Sequence, residues 1–266
     1  MSSITSKSSI DWNYDIIGEG GSLVFFHGWG VDLRIWRQQY KYFSTKYKVV
    51  RFDLPGHGKS GWKSMSFQDI AGDLDMVMDE LGLNNIVSVG SSLGGLLSLR
   101  LYEISPERFK KMVFVGAVPK FSRSKDFPYG LDVEKIRKLG GQLDTSYPSI
   151  VNVFFRSLFT KEERSSRRYK WLQKFRQFNE APMKPALVEY LSILEKEDLT
   201  EILRKIDIPA QFINGAGDTI CNMDAVDHLK ELVPKGRFDI FDKCGHFPFL
   251  SKPHEFNEVL EEFLLQ

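Results

Sequence analysis

Six short runs in this 266-residue chain are mostly apolar: residues 23–26, 49–53, 86–89, 112–115, 210–213 and 238–241. Successive strand residues point to opposite faces, so a run without alternation predicts a strand covered on both sides. Longer segments of helical period lie between the runs. Ser66, Phe67, Gln68 and Asp69 form a helix-start signal of the capping-box type, with Asp in place of Glu. Ile70, Leu74, Val77, Met78 and Leu81 then make one stripe, and Gly82 closes it. Pro253 opens a last helix with Phe256, Val259, Leu260 and Phe263 on its apolar face. This alternation predicts an α/β fold, a mostly parallel central sheet flanked by helices.

The alternation stops near Pro119 and resumes at Ile208. The stretch between carries no strand-like run. It reads as helical and is rich in aromatic residues, with Phe154, Phe155, Phe159, Trp171, Phe175 and Phe178. The expected organisation is a core of residues 1–118 and 200–266 with a helical lid, residues 119–199, inserted in it. An insertion between strands of an open sheet lies over their carboxyl ends, where ligands bind in such folds.

Composition narrows the picture. Apolar residues make up 42% of the chain and 21 are Phe, enough for a sizeable core. The net charge of +1 gives no reason to expect nucleic acid as a partner. Two cysteines, Cys221 and Cys244, fit reduced thiols better than a disulfide framework. Neither they nor the histidines have metal-ligand spacing, so no metal and no cofactor is expected. The N-terminal residues hold no apolar signal region, and no run approaches a membrane span. These features predict a cytoplasmic monomer with no membrane partner.

The chemistry concentrates at VSVGSSLGG, residues 87–95. An apolar strand enters and an apolar helix leaves. Gly90-Ser91-Ser92-Leu93-Gly94 fits G-x-S-x-G with Ser92 at the centre, the pattern of a sharp strand-to-helix turn that exposes a nucleophile. Ser91 does not centre the pattern, since Val89 and Leu93 stand where glycines are required. The Leu93 amide opens the helix and favours negative charge beside it. A serine of this kind needs a base and an orienting carboxylate. His246 follows the run at 238–241 and is the candidate base. His27 and His57 precede the serine in the chain, while His228 and His254 fall on helical segments. Asp218 follows the run at 210–213 in a glycine-rich loop and is the candidate carboxylate. Asp224 and Asp227 compete with it from the next helix. The loop His27-Gly28-Trp29-Gly30 is the candidate source of a second oxyanion donor, the Trp29 amide, paired with that of Leu93.

Through FFHGWG, RFDLPGHGKS, VGSSLGG, NGAGD and GHFPFLSKPHEF, the chain resembles the α/β-hydrolase superfamily over nearly its full length. The order Ser92, Asp218, His246 is the order of that superfamily. HGWG followed by Trp36, with DLPGHGKS and GHFPFLSKPHEF, is similar to the pimeloyl-[acyl-carrier protein] methyl ester carboxylesterases of biotin synthesis. That resemblance implies hydrolysis of a methyl ester through an acyl-enzyme, with oxyanion amides at Trp29 and Leu93. It also implies an acyl-carrier partner held by arginines of the lid, with no individual arginine transferred.

The lid is basic by its own composition. Between Lys120 and Phe178 there are 14 Lys/Arg against 6 Asp/Glu, and Arg164, Arg167, Arg168 and Arg176 cluster. A solvated helix face and a platform for an acidic acyl carrier both fit this excess. Competing functions are a promiscuous short-chain carboxylesterase, a carbon–carbon bond hydrolase of the same fold, and a small-molecule receptor without turnover. Ser92 argues against a dehalogenase, which needs a carboxylate there. The absence of a Lys-Ser or Lys-Thr pair after the glycines argues against a phosphate-binding loop.

Overall fold

The computed structural model describes residues 2–176 and 181–266. Eight strands form one sheet: β1 (Ser2–Thr5), β2 (Asp11–Ile17), β3 (Ser22–Phe26), β4 (Lys48–Phe52), β5 (Ile86–Ser91), β6 (Phe109–Val115), β7 (Ala210–Gly215) and β8 (Arg237–Phe241). Their order across the sheet is β1-β2-β4-β3-β5-β6-β7-β8. From β3 to β8 the pairings are parallel, whereas β1 and β2 join antiparallel at one edge.

The uniform apolar runs have the cause inferred from the pattern. On β3, Leu23 and Phe25 face one helical layer with Trp36, Phe256 and Leu260. Val24 and Phe26 face the other, with Leu74, Leu96 and Phe212. Each large side chain so buried contributes roughly 1.5–3 kcal/mol relative to exposure. The helix Phe67–Glu80 starts at Ser66, whose Oγ accepts from the Asp69 amide at 3.1 Å. The last helix, Pro253–Leu265, buries Phe256, Leu260 and Phe263.

Strands β1 and β2 were not expected from the sequence pattern. β1 is largely exposed, and β2 buries polar residues that break an apolar reading. Asn13 donates to Asp53 Oδ2 at 2.7 Å, and Asp15 pairs with Arg51 at 2.6 Å. The strand is paid for by cross-strand partners that a local pattern does not contain. The edge strand β8 departs in another way, being only half-buried along most of its length.

Between β6 and β7 the chain forms helices Val133–Ser146, Ser149–Ser157, Lys161–Ser165, Arg167–Arg176, Lys184–Lys196 and Thr200–Arg204. The Leu199 amide donates to the Pro119 carbonyl at 2.9 Å, so the excursion leaves and returns at one point. Among the described residues, no helix is long and apolar enough to cross a membrane.

Candidate active site

Ser92 sits between the end of β5 and the helix Leu93–Ile104 with φ 54° and ψ −118°. A non-glycine residue here is strained and persists only where its surroundings enforce it. The enforcement is visible. The Ser92 amide donates to Val115 O at 3.0 Å, and the Gly95 amide donates to Ser92 O at 2.9 Å. A Cβ at Gly90 would run into the Gly94 carbonyl, and one at Gly94 into the Phe26 carbonyl. Both glycines of the motif are therefore required by close backbone approach. Ser91 is fully buried on β5.

His246 and Asp218 meet across 28 residues of sequence. The imidazole Nδ1–H donates to Asp218 Oδ2 at 2.7 Å. The other carboxylate oxygen accepts from the amides of Ile220 at 2.8 Å and Cys221 at 3.1 Å. Both side chains are essentially closed to solvent, at 2% and 0% exposure. In such surroundings a charged hydrogen bond is worth more than at the surface. Asp224 and Asp227 are exposed on the helix Met223–Leu232, and Asp227 pairs with Lys230. His228 lies on that helix against Tyr129, and His254 is exposed in the first turn of the last helix.

Cys221 is brought close to this pair, which the sequence spacing did not suggest. Asp218, Cys221 and His246 each offer a ligand-type atom, all within 4.8 Å of one another. The thiol donates to the Gly116 carbonyl at 3.1 Å, and burial pushes its pKa well up. It is held as a thiol, and both oxygens of the Asp218 carboxylate are already engaged, Oδ2 by the imidazole and Oδ1 by the two amides.

The loop at 27–30 packs against the serine turn. A Cβ at Gly28 would stand 3.1 Å from Ser92 Cβ. The Trp29 indole donates to Leu187 O at 3.0 Å, which ties the loop to the helix Lys184–Lys196. His27 Nε2 accepts from the Leu54 amide at 2.9 Å, and His57 Nε2 accepts from the Gly30 amide at 3.2 Å. Their Nδ1 atoms face the carbonyls of Gly28 and Pro55. Both rings are thus neutral, with the proton on Nδ1. Burial lowers the His27 pKa and pushes that of His57 down to about 3. These two histidines are scaffold, holding the loop that carries Trp29.

A pocket of about 310 Å³ opens over these groups, lined by Gly28, Trp29, Ser92 and His246 together with apolar side chains such as Ile136, Leu139 and Leu191. Lys135 and Thr219 are its exposed polar lining residues. Among the described residues of the basic cluster, Arg164, Arg167 and Arg168 do not line it. Arg164 donates to the Phe159 carbonyl at 3.1 Å, and Arg168 to the Leu250 carbonyl at 2.8 Å while its guanidinium lies over Trp171. Arg167 is exposed. The side chain of Arg176 and all of Phe178 lie outside the described residues. Lys135 is not singled out by the sequence because it is one of many cations between β6 and β7; only its place on the helix Val133–Ser146 sets it apart.

A parallel sheet whose carboxyl edge presents a strained serine, a buried Asp–His pair and a glycine loop defines a hydrolase of the α/β class. The sequence profile described as alpha/beta hydrolase fold matches residues 21–253, and the chain belongs to that family. The pimeloyl-[acyl-carrier protein] methyl ester esterase of Nitrosomonas europaea is 30% identical over 90% of this chain and 94% of its own length. The protein of the same name from Klebsiella pneumoniae is 31% identical over 93% and 95%. In fold, an esterase from Exiguobacterium antarcticum superimposes with TM-score 0.91 at 22% identity, covering 100% of this chain and 99% of its own. The chain is an α/β hydrolase of the carboxylic ester hydrolase group.

Proposed function

We propose that the chain hydrolyses the methyl ester of a pimeloyl group carried on acyl-carrier protein, a step of biotin synthesis, with Ser92 as nucleophile. The observation that carries this reading is the 2.7 Å Asp218–His246 bond beside a pocket that Ser92 also lines. Nδ1 is committed to Asp218, which leaves Nε2 to take the Ser92 proton. Ser92 Oγ attacks the ester carbonyl carbon. The amides of Trp29 and Leu93 receive the developing oxyanion, each worth roughly 3 kcal/mol of barrier when preorganised. The imidazolium, stabilised by Asp218, returns its proton to the leaving methanol. Water then attacks the acyl-enzyme with His246 as base, which frees the acid.

The substrate assignment rests on the named relatives and on the pocket. Its walls suit an acyl chain, and a volume of about 310 Å³ matches about ten groups of water size. Lys135 stands exposed at the lining, where an acidic carrier or its linker phosphate would approach. In this reading residues 119–199 act as the lid over the pocket. The test is hydrolysis of methyl pimeloyl-carrier protein beside p-nitrophenyl esters of increasing chain length. A strong preference for the carrier-linked ester is expected. Broad activity on short free esters would select the promiscuous esterase, and tight binding without turnover the receptor.

A further inference from the structure

We propose that Glu163, on the helical insertion, is a positioning residue for His246. This rests on the reading of His246 as the base. The helix Lys161–Ser165 begins with a capping box in which Thr160 Oγ1 accepts from the Glu163 amide at 3.1 Å and Glu163 Oε2 accepts from the Thr160 amide at 2.6 Å. A cap requires no more than this. The carboxylate goes further. Oε2 also accepts from the Gly245 amide at 3.0 Å, and Oε1 accepts from the Cys244 thiol at 3.2 Å. Both donors belong to buried residues immediately before His246.

The same segment grips the loop a second time. The His246 amide donates to the Leu158 carbonyl at 2.8 Å, and a Cβ at Gly245 would strike that carbonyl. On its other side the loop is bound to the turn that carries Asp218, through the Gly217 amide to the Cys244 carbonyl at 2.8 Å. Residues 244–246 are therefore held between the core and the insertion. The core side fixes the imidazole relative to Asp218. The insertion side fixes it relative to the pocket, which Leu158 also lines. Glu163 makes the docking of the insertion and the alignment of the base one event. Without its carboxylate, the Gly245 amide and the Cys244 thiol lose their acceptor and the loop gains freedom. A displacement of the imidazole by about 1 Å is enough to cost about 100-fold in rate.

The test uses the full chain and p-nitrophenyl acetate, a substrate too small to depend on a carrier. Glu163→Ala is expected to lower kcat by about 10- to 100-fold with KM within about twofold. The low-field proton resonance of His246 Nδ1–H should broaden at the same time. Glu163→Gln keeps one oxygen able to accept from both amides, so it should recover most of kcat. Thr160→Ala removes the capping hydroxyl but leaves the carboxylate on Gly245; it should lower Tm and leave kcat unchanged. Unaltered kcat in Glu163→Ala overturns the proposal, as does an equal kcat loss in Thr160→Ala, which would reduce Glu163 to a helix cap. If Glu163→Ala does not fold, Glu163→Asp, one methylene too short to reach Gly245, must lower kcat or the proposal fails. Ser92→Ala and His246→Ala are measured beside these. Activity surviving in them rejects the serine mechanism itself, whatever Glu163 does.

Discussion

Asp218 Oδ2 lies 2.7 Å from His246 Nδ1, while Asp218 Oδ1 takes the amides of Ile220 and Cys221. The two backbone donors fix which way the carboxyl group is turned. In Asp218→Asn the surviving oxygen is the only acceptor for those amides, so the new NH₂ must face the imidazole. Nδ1 would then have to accept, its proton would move to Nε2, and Nε2 could no longer act as base. The expected result is a folded protein with kcat reduced about 10⁴-fold. Unfolding curves beside steady-state rates check both halves of the statement.

Ser92→Ala is expected to abolish ester turnover by about 10⁴-fold or more. It should not destabilise the turn, because the strain lies in the backbone and alanine carries the same Cβ. Ser91→Ala, on the buried face of β5, should stay within a few-fold of wild type. Mass spectrometry after a fluorophosphonate probe offers an independent reading. Labelling should vanish in Ser92→Ala and persist in Ser91→Ala.

Exposed charge between β6 and β7 should matter to a carrier-linked ester and not to a small free one. Lys135→Glu and Arg167→Glu change exposed side chains, whereas Arg164 and Arg168 hold carbonyls and their loss would loosen the insertion. The double variant should lower kcat/KM for the carrier substrate about tenfold at low ionic strength. The deficit should shrink as salt rises, since the Debye length is about 8 Å at physiological strength. Activity on p-nitrophenyl acetate should stay the same. A salt titration of both substrates decides it.

Stability should fall as the pH drops below about 6.5, because His27 and His57 are buried neutral. A histidine whose folded pKa is lowered contributes fully above its unfolded pKa of about 6.5. That contribution is lost as the pH falls from there toward the folded value, about 3 for His57. The slope is at most about 1.4 kcal/mol per pH unit for each ring. His57→Gln keeps an acceptor for the Gly30 amide and removes one titration. Urea midpoints between pH 7 and 5 should therefore slope less steeply in the variant than in wild type.

Much of this architecture was legible along the chain, and the reason is local. A strand buried on both faces must be apolar at consecutive positions, as β3, β5 and β6 are. A tight strand-to-helix turn needs Gly90 and Gly94, because no Cβ fits against the neighbouring carbonyls. The G-x-S-x-G turn and the two glycine-rich loops after β7 and β3 follow from such short-range constraints. β2 stayed hidden because its buried Asn13 and Asp15 are stabilised by Asp53 and Arg51, some forty residues away.

By itself, then, the sequence determined the layered α/β frame and the small set of residues from which a site could be built. Tertiary structure decided among them. Asp218, rather than Asp224 or Asp227, reaches His246, because the turn after β7 aims it inward while the next helix exposes the other two. Arg164 and Arg168 became clamps on carbonyls, and Lys135 came to line the pocket. Glu163 came to bind the residues before His246 across 82 positions. These outcomes depend on which surfaces pack together, and a hydrogen bond between distant segments leaves no periodicity in either one. The chemistry of each side chain is written in its own position; its partner is set by the fold.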